Sequence, residues 1–172
     1  AAMRLVLTVG GGRPAAVADT FRRLVETGVA QYVWTGYRRT RAIWDDAVVA
    51  PRWVGQSLWL HGDLHPANVL TSDGDLRGVV DFGDLCTGDP AFDLAACWIL
   101  LPDHEAIEHF RAACPLAADK ATWRRARGWA IWRASGSLAV ATAGNPGGQP
   151  SWGPPALASL QRLTESVAGP RG

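Results

Sequence analysis

The chain has 172 residues, of which 48% are hydrophobic and 19% are charged, so it can bury the core of one domain or of one lobe of a larger protein. Its net charge of +1 gives no electrostatic reason to expect a nucleic acid, a membrane surface or a strongly acidic partner. The three cysteines lack the spacing of a disulfide framework or a zinc site, and no apolar stretch approaches the ~20 residues of a spanning helix. We therefore expect a soluble, cytoplasmic protein.

Residues 1–13 are predicted to be a flexible leader or an expression remnant, and residues 14–172 are predicted to form a single lobe. The strand-like run at 5–9 ends in three glycines, but neither G-x-G-x-x-G nor G-x-x-x-x-G-K-[ST] is present, so a phosphate-binding loop is not expected. Apolar residues at three- and four-residue spacing then predict helices at 14–28 and 39–50. We expect both helices to pack beneath the strands that follow.

Short apolar runs at 58–60, 69–70 and 76–80 predict strands in the next part of the chain. The sequence Asp73-Gly74 between the last two runs is typical of a tight antiparallel hairpin. This hairpin would place Asn68, at the start of one strand, beside Asp81, at the end of its partner.

The same stretch contains the residues of a phosphoryl-transfer site. Asp63 and Asn68 have the spacing of the H-R-D-x-x-x-x-N loop of protein kinases, and Asp81 begins a D-F-G sequence. In that chemistry one carboxylate receives the proton of the acceptor hydroxyl, while a second carboxylate and an amide oxygen hold magnesium. Asp63 is therefore the predicted catalytic base, and Asn68 and Asp81 are the predicted metal ligands.

The loop reads His-Gly-Asp-Leu-His-Pro-Ala-Asn, and Gly-Asp-Pro-Ala-Phe-Asp-Leu-Ala follows the D-F-G. In this wording the chain resembles the aminoglycoside phosphotransferase family and its choline-, homoserine- and fructosamine-kinase-like relatives. The resemblance implies a bilobal kinase-like fold that uses ATP and Mg²⁺ to phosphorylate a hydroxyl group of a small molecule. It carries the base role to Asp63 and the metal-ligand roles to Asn68 and Asp81. His61 is expected to be a buried residue that supports the catalytic loop, and His65 either packs within the loop or approaches the acceptor.

Helical patterns continue after this stretch at 92–101, 104–114, 120–142 and about 155–167. Asp93 is expected to tie the first of these helices to the catalytic loop, and Asp89 is expected to be architectural. Asp119 is the predicted N-cap of the longest helix. Solvent exposure is expected for three arginines in its first turns, Arg124, Arg125 and Arg127.

Asp103, Glu105 and Glu108 are candidates for binding the acceptor. They lie on or next to the helix at 104–114 and would form an acidic docking surface if the acceptor were a polycationic sugar. The alternative is a solvated helix face, since acidic residues in a first turn also suit the helix dipole.

The fold class that follows is α+β and mainly helical: the C-terminal lobe of a protein-kinase-like fold with a small catalytic β-hairpin. The family's N-terminal nucleotide lobe is expected to be absent from this sequence, because the residues before the first strand are predicted to be helical. Lys120 is the only lysine and lies after the D-F-G, so no residue fills the position of the nucleotide-lobe lysine. A truncation, a nucleotide lobe supplied in trans or by a homo-oligomer, and a degenerate relative all remain open.

Three functions compete at this point. The leading one is an ATP-dependent phosphotransferase that acts on a small-molecule hydroxyl, with aminoglycosides as the nominal acceptors. The second is a catalytically silent lobe that keeps magnesium or ligand affinity or serves as an interaction module. The third is a metallophosphoesterase in which His61, Asp63 and His65 alternate along a strand and bind a metal. The nine tryptophans are expected to serve the core before any aromatic cage for a cation.

Overall fold

The computed structural model describes residues 14–20, 22, 36–116, 119–142 and 149–165. The predicted leader at 1–13 and the loop that follows the longest helix, at 144–148, lie outside these residues. Most of the predicted helix at 14–28 also lies outside them. Its first residues form a 3₁₀ turn at Pro14–Val17 that continues as helix over 18–20.

The helices of the described residues occur close to the predicted positions. They are α1 Tyr37–Val49, α2 Ala91–Leu94, α3 Cys97–Leu100, α4 His104–Ala113, α5 Lys120–Thr142 and α6 Gly153–Glu165. The helix expected at 92–101 is thus divided into α2 and α3. The division occurs where the amide of Ala96 donates to the carbonyl oxygen of Asp93 at 2.9 Å, which is the tighter i to i+3 pattern of a 3₁₀ turn. None of the described helices is both long and apolar enough to cross a membrane.

Two small antiparallel sheets lie between α1 and α2. β2 (Val69–Ser72) and β3 (Asp75–Val79) form the predicted hairpin, with Val69 opposite Val79. Asp73 and Gly74 take φ values of 54° and 83°, as a two-residue turn with both residues left-handed requires. The second sheet pairs β1 (Leu58–Leu60) with β4 (Cys86–Gly88), so the chain returns to β1 directly after the D-F-G.

Helix α5 is the centre of the core, and α1 packs against it. Gly128 allows this contact, because a Cβ atom at that position would lie 2.3 Å from the Cβ of Ala47. Arg124 then pairs with Asp46 across the two helices at 2.7 Å. The expectation that α1 would pack beneath the hairpin was therefore wrong: the small side chains at the helix crossing favour α5 as its partner.

Tryptophan side chains fill most of the core around α5, as expected from the sequence. Trp98, Trp129 and Trp132 are at most 2% exposed. The ring of Trp129 meets Phe92 edge-on at a centroid distance of 4.9 Å and meets Trp132 at 6.4 Å. Edge-to-face pairs of this kind add stability beyond the area that they bury.

Of the three arginines expected at the surface, Arg125 is buried and Arg127 is half-buried. Arg125 is 2% exposed and forms an ion pair with the buried carboxylate of Asp89 at 2.6 Å, and it also donates to the carbonyl oxygen of Pro51. Arg127 donates to the carbonyl oxygen of Leu163 in α6 at 2.8 Å. Because α5 is surrounded by other elements, even its charged positions face protein. The Arg125 pair explains why Asp89 is architectural.

Candidate active site

The loop that carries Asp63 is held by a carboxylate from α2. The backbone amides of His61 and Gly62 donate to the two carboxylate oxygens of Asp93 at 2.6 and 3.1 Å. Gly62 has φ 84°, and a Cβ atom there would lie 2.2 Å from the carbonyl oxygen of Asp84. Only glycine fits this position, and the predicted tie between Asp93 and the loop is confirmed.

The imidazole of His61 joins the loop to the D-F-G. Its Nδ1 accepts a hydrogen bond from the amide of Asp63 at 3.2 Å, so the ring proton lies on Nε2, which donates to the carbonyl oxygen of Val80 at 2.9 Å. The ring packs against Phe82 with centroids 4.7 Å apart. His61 is thus buried and hydrogen-bonded, and its support of a catalytic loop stays a prediction.

Asn68 and Asp81 come together at one end of the hairpin. The amide of Val80 donates to the carbonyl oxygen of Asn68 at 3.0 Å, and Asp81 is the next residue along the chain. The side-chain nitrogen of Asn68 donates to the backbone oxygen of Asp63 at 2.9 Å and lies 3.5 Å from its carboxylate. The amide oxygen of Asn68 is then the atom left for a ligand. Asp81 is exposed and takes a left-handed conformation with φ 62°.

These donors fit a magnesium ion by their chemistry. Magnesium in enzymes that bind nucleotides is held by one or two protein oxygens together with phosphate oxygens and water. The amide oxygen of Asn68 and the carboxylate of Asp81 are such oxygens, and the hydrogen bond that the side-chain nitrogen of Asn68 donates to Asp63 leaves the amide oxygen to act as the ligand.

Asp63 lies in a basic environment that favours its ionised form. Its carboxylate is 3.3 Å from Nε2 of His65, and its side chain is 25% exposed. The hydrogen bond from His65 lowers the pKa of Asp63 most, and the nearby charge of Arg133 lowers it further. An ionised carboxylate that is partly open to solvent can accept a proton from a hydroxyl group.

Arg133 on α5 holds the loop from below. Its guanidinium donates to the carbonyl oxygens of Leu64 at 3.0 Å and Gly62 at 2.7 Å, and it lies 4.5 Å above the ring of Phe92. Burial lowers the pKa of Arg133, while the charge of Asp63 acts in the opposite direction. An arginine stays protonated in such surroundings, so it places a fixed positive charge behind the loop.

A cavity of about 340 Å³ opens beside Asp63. The loop from Gly62 to Ala67 forms one side, α5 from Trp132 to Val140 forms the floor, and residues 151–159 form the far wall. Apolar groups dominate the lining; the larger ones are Phe92, Ile99, Trp132, Val140, Trp152 and Pro155. His65 lies between Asp63 and Trp152, with its ring centroid 6.3 Å from that of Trp152. A small molecule in the cavity would therefore lie next to Asp63.

The structure does not bring the candidate acceptor-binding carboxylates to this cavity. Asp103 caps α4 by accepting from the amide of Ala106 at 2.9 Å, and Glu108 pairs with Arg111 at 2.6 Å. Glu105 is exposed in the first turn of α4. None of the three lines the cavity.

A family model described as "APH: Phosphotransferase enzyme family" matches residues 8–129, which is more than half of the chain. The chain belongs to this family. The match includes the catalytic loop, the hairpin and the D-F-G. The resemblance that was inferred from the sequence is confirmed.

Relatives of this phosphotransferase-family chain include two bacterial homoserine kinases. That of Xanthobacter autotrophicus is 32% identical over 139 residues, which cover 73% of this chain and 41% of the relative. That of Afipia carboxidovorans is 32% identical over 102 residues, which cover 57% of this chain and 29% of the relative. The chain thus spans less than half the length of these relatives.

The fold has a counterpart among solved structures. The crystal structure of a thermostable mutant of aminoglycoside phosphotransferase APH(4)-Ia in its apo form aligns with 91% of this chain and 52% of its own, with a TM-score of 0.50 and 20% identity. At that identity the likeness shows the fold alone. The kinase-like fold, mostly helical with small antiparallel sheets, is confirmed.

The geometry does not fit the phosphoesterase hypothesis for this phosphotransferase-family chain. That hypothesis needs His61 to bind a metal, but both of its ring nitrogens are engaged, one with Asp63 and one with Val80. Among the described residues, no group of three or more His, Cys, Asp or Glu side chains is arranged to hold a metal ion.

Sequence reasoning missed Arg133 and Trp152, although both border the cavity. Arg133 interrupts an otherwise apolar part of α5, and a charged residue at an inward position needs a partner. That interruption could have identified it. Nothing in the sequence indicates that Trp152, in the 3₁₀ turn Pro150–Trp152 just before α6, faces the loop of Asp63.

Proposed function

We propose that this chain provides the catalytic base, the magnesium ligands and the acceptor pocket of an ATP-dependent kinase that phosphorylates a hydroxyl group of a small molecule. One observation carries the proposal: Asp63 borders the cavity on one side and contacts Asn68 on the other. An acceptor in the cavity and a metal-bound phosphate at the end of the hairpin would then meet at Asp63.

In the proposed reaction, Asp63 receives the proton of the acceptor hydroxyl as its oxygen forms a bond to the terminal phosphorus of ATP. The bond from that phosphorus to the β,γ-bridging oxygen breaks, and ADP leaves. Arg133 and His65 keep Asp63 ionised before the transfer, and the contacts of His61 and Asn68 fix its backbone. Magnesium, when bound through Asn68 and Asp81, would neutralise charge on the phosphates.

The remaining contacts to ATP are also part of the proposal. Lys120, the only lysine of the sequence, begins α5 and does not line the cavity. We propose that a nucleotide-binding lobe supplies these contacts, either from polypeptide outside the described residues, from a separate chain in trans, or from a homo-oligomer. The predicted absence of such a lobe from the sequence stays a prediction, as does a cytoplasmic location.

The acceptor named from the sequence was an aminoglycoside, which would make the protein an antibiotic-resistance enzyme. The name of the structural neighbour supports an aminoglycoside, and the names of the sequence relatives support homoserine. A small-molecule alcohol is what both have in common. We therefore propose a small-molecule alcohol as the acceptor.

ATP-dependent transfer to a panel of small alcohols, measured as ADP release and as phosphate ester formed, tests the proposal. Asp63→Ala should reduce transfer at least about a hundredfold with the fold intact, because it removes the base. Glu105→Ala, at an exposed carboxylate outside the cavity, should leave transfer unchanged. Retained activity in Asp63→Ala would refute the assigned base. Magnesium binding by the chain without any ADP release would support the catalytically silent module instead.

A further inference from the structure

We infer from the cavity that the acceptor is an alcohol with a compact apolar or aromatic body and no more than one cationic group. This inference rests on the proposed function, since it names the class of acceptor for the same pocket. It would place both polycationic aminosugars and small zwitterionic amino acids outside the preferred substrates.

The cavity wall offers little negative charge to a cationic ligand. Asp63 is the only carboxylate among the described residues that line the cavity. It is already paired with His65 at 3.3 Å, and Arg133 places a further positive charge beside it. An ammonium group moved from water into this cavity would lose hydration and find no free carboxylate, which is costly. Several ammonium groups would multiply that cost.

Several of the other polar groups in the cavity wall are hydrogen-bonded within the protein. The hydroxyl of Ser159 donates to the carbonyl oxygen of Pro155 at 3.0 Å and accepts from Arg162 at 3.1 Å. Two donors of Arg133 are directed to the loop carbonyl oxygens. Ser137 and Ser151 add two hydroxyls to the lining. A hydroxylated acceptor can use such groups, whereas the ammonium of an amino acid would find no carboxylate in the described lining beyond Asp63.

Aromatic side chains contribute to the apolar surface of the cavity. Trp132 and Phe92 border the cavity but are only 1% and 4% exposed, so they offer a ligand little surface. Trp152 is 39% exposed and is the main aromatic surface that a ligand can contact. Aromatic walls bind apolar and aromatic bodies through buried area and ring contacts. A hydroxyl next to Asp63 combined with an apolar body against Trp152 would use both ends of the cavity.

Calorimetric titration of the purified chain with three probes tests the inference without requiring turnover. The probes are naphthylethanol, its amino-alcohol analogue naphthylalaninol, and the diamine deoxystreptamine. Naphthylethanol should bind at least about tenfold more tightly than deoxystreptamine. Trp152→Ala should weaken the binding of naphthylethanol about tenfold. Trp59→Ala, at an exposed tryptophan outside the cavity, should leave that affinity unchanged. Ser137→Asp should shift the preference from naphthylethanol to naphthylalaninol.

Three results would overturn the inference: deoxystreptamine binding as tightly as naphthylethanol, equal effects of Trp152→Ala and Trp59→Ala, or no binding of naphthylethanol at all. Phosphoryl transfer is measured separately, so the two proposals fail in different ways. Transfer to deoxystreptamine but not to naphthylethanol would refute the acceptor class and leave the kinase function standing. Tight binding of naphthylethanol without transfer to any alcohol, in an assay that also contains a nucleotide-binding lobe, would refute the kinase function and leave the ligand class standing.

Discussion

Arg133 of α5 donates to the carbonyl oxygen of Gly62 at 2.7 Å, so the long central helix sets the position of the loop that carries Asp63. The same guanidinium also donates to Leu64, and the two bonded carbonyl oxygens flank the proposed base. Arg133, which lies 70 residues further along the chain than Asp63, therefore contributes to both the geometry and the charge of the site.

Replacement of Arg133 should separate these two effects. Arg133→Met removes the positive charge and leaves both carbonyl oxygens without their donors, so we expect the pKa of Asp63 to rise and transfer to fall about a hundredfold. Arg133→Lys keeps the charge but not the two-pronged geometry, so it should restore the pKa of Asp63 more than the rate. Carboxyl-carbon NMR titration measures the first quantity and steady-state kinetics the second. Arg124→Met, on the same helix, is the matched control, and an unchanged titration in Arg133→Met would contradict the assignment.

Gly62→Ala should be far more harmful than Gly74→Ala, although both glycines have φ near 84°. A Cβ at Gly62 would lie 2.2 Å from the carbonyl oxygen of Asp84, whereas nothing lies within 4 Å of a Cβ at Gly74. Gly74→Ala should thus cost about 1 to 2 kcal/mol of left-handed strain alone, and Gly62→Ala should cost more and displace the loop. Urea unfolding of both variants measures the difference. Equal losses would show that the contact with Asp84 is relieved without cost.

Asp89→Asn should lower the free energy of unfolding by about 3 to 5 kcal/mol, because it leaves the buried charge of Arg125 without its partner. Asp46→Asn breaks the pair with Arg124, in which the Asp46 side chain is 52% exposed and that of Arg124 is 37% exposed. It should lower the free energy of unfolding by no more than about 1 kcal/mol. Thermal or urea denaturation of the two variants compares a buried with an exposed pair on the same helix. Similar losses would mean that solvent reaches Arg125.

Stability should depend on pH through Asp63. Its pKa is lowered from the ordinary value of 3.8, first by the hydrogen bond from His65. An acid whose pKa is lower in the folded state stabilises the fold fully above its unfolded value, and the effect disappears as the pH falls through the folded value. The stability gap between the native chain and Asp63→Asn should therefore close on acidification, which urea unfolding over a series of pH values can follow. His65→Gln should narrow the gap at neutral pH. A gap that is constant with pH would contradict this linkage.

The hairpin and the grouping of the candidate site residues were predictable because their sequence determinants are local. The Asp73-Gly74 turn fixes the pairing that brings Asn68 to Asp81, and the spacing from Asp63 to Asn68 lies within one loop. The pairing of β1 with β4 was not predicted, since each strand has three residues and no turn joins them directly. The spacing of apolar residues along the sequence does not indicate long-range contacts of this kind.

The roles of the α5 arginines could not be predicted from helix patterns alone. Charged residues usually mark a solvated helix face, but α5 is covered on nearly all sides, and Arg125 and Arg133 are positioned by partners far away in sequence. The acidic residues near α4 were considered for the acceptor because of their charge. Capping by Asp103 and pairing of Glu108 with Arg111 are local uses of the same charges.

The two sides of the cavity come from different parts of the chain. The side that carries Asp63 is cross-linked through Asp93, His61 and Arg133, whereas the opposite side consists of the 3₁₀ turn Pro150–Trp152 and the first turns of α6. Substitutions at residues 151–159 can therefore change which molecule the cavity binds, while the distances among Asp63, Asn68 and Asp81 stay the same. Substitutions at the start of one helix are thus a route by which substrate preference can diverge in evolution while the reacting groups stay the same.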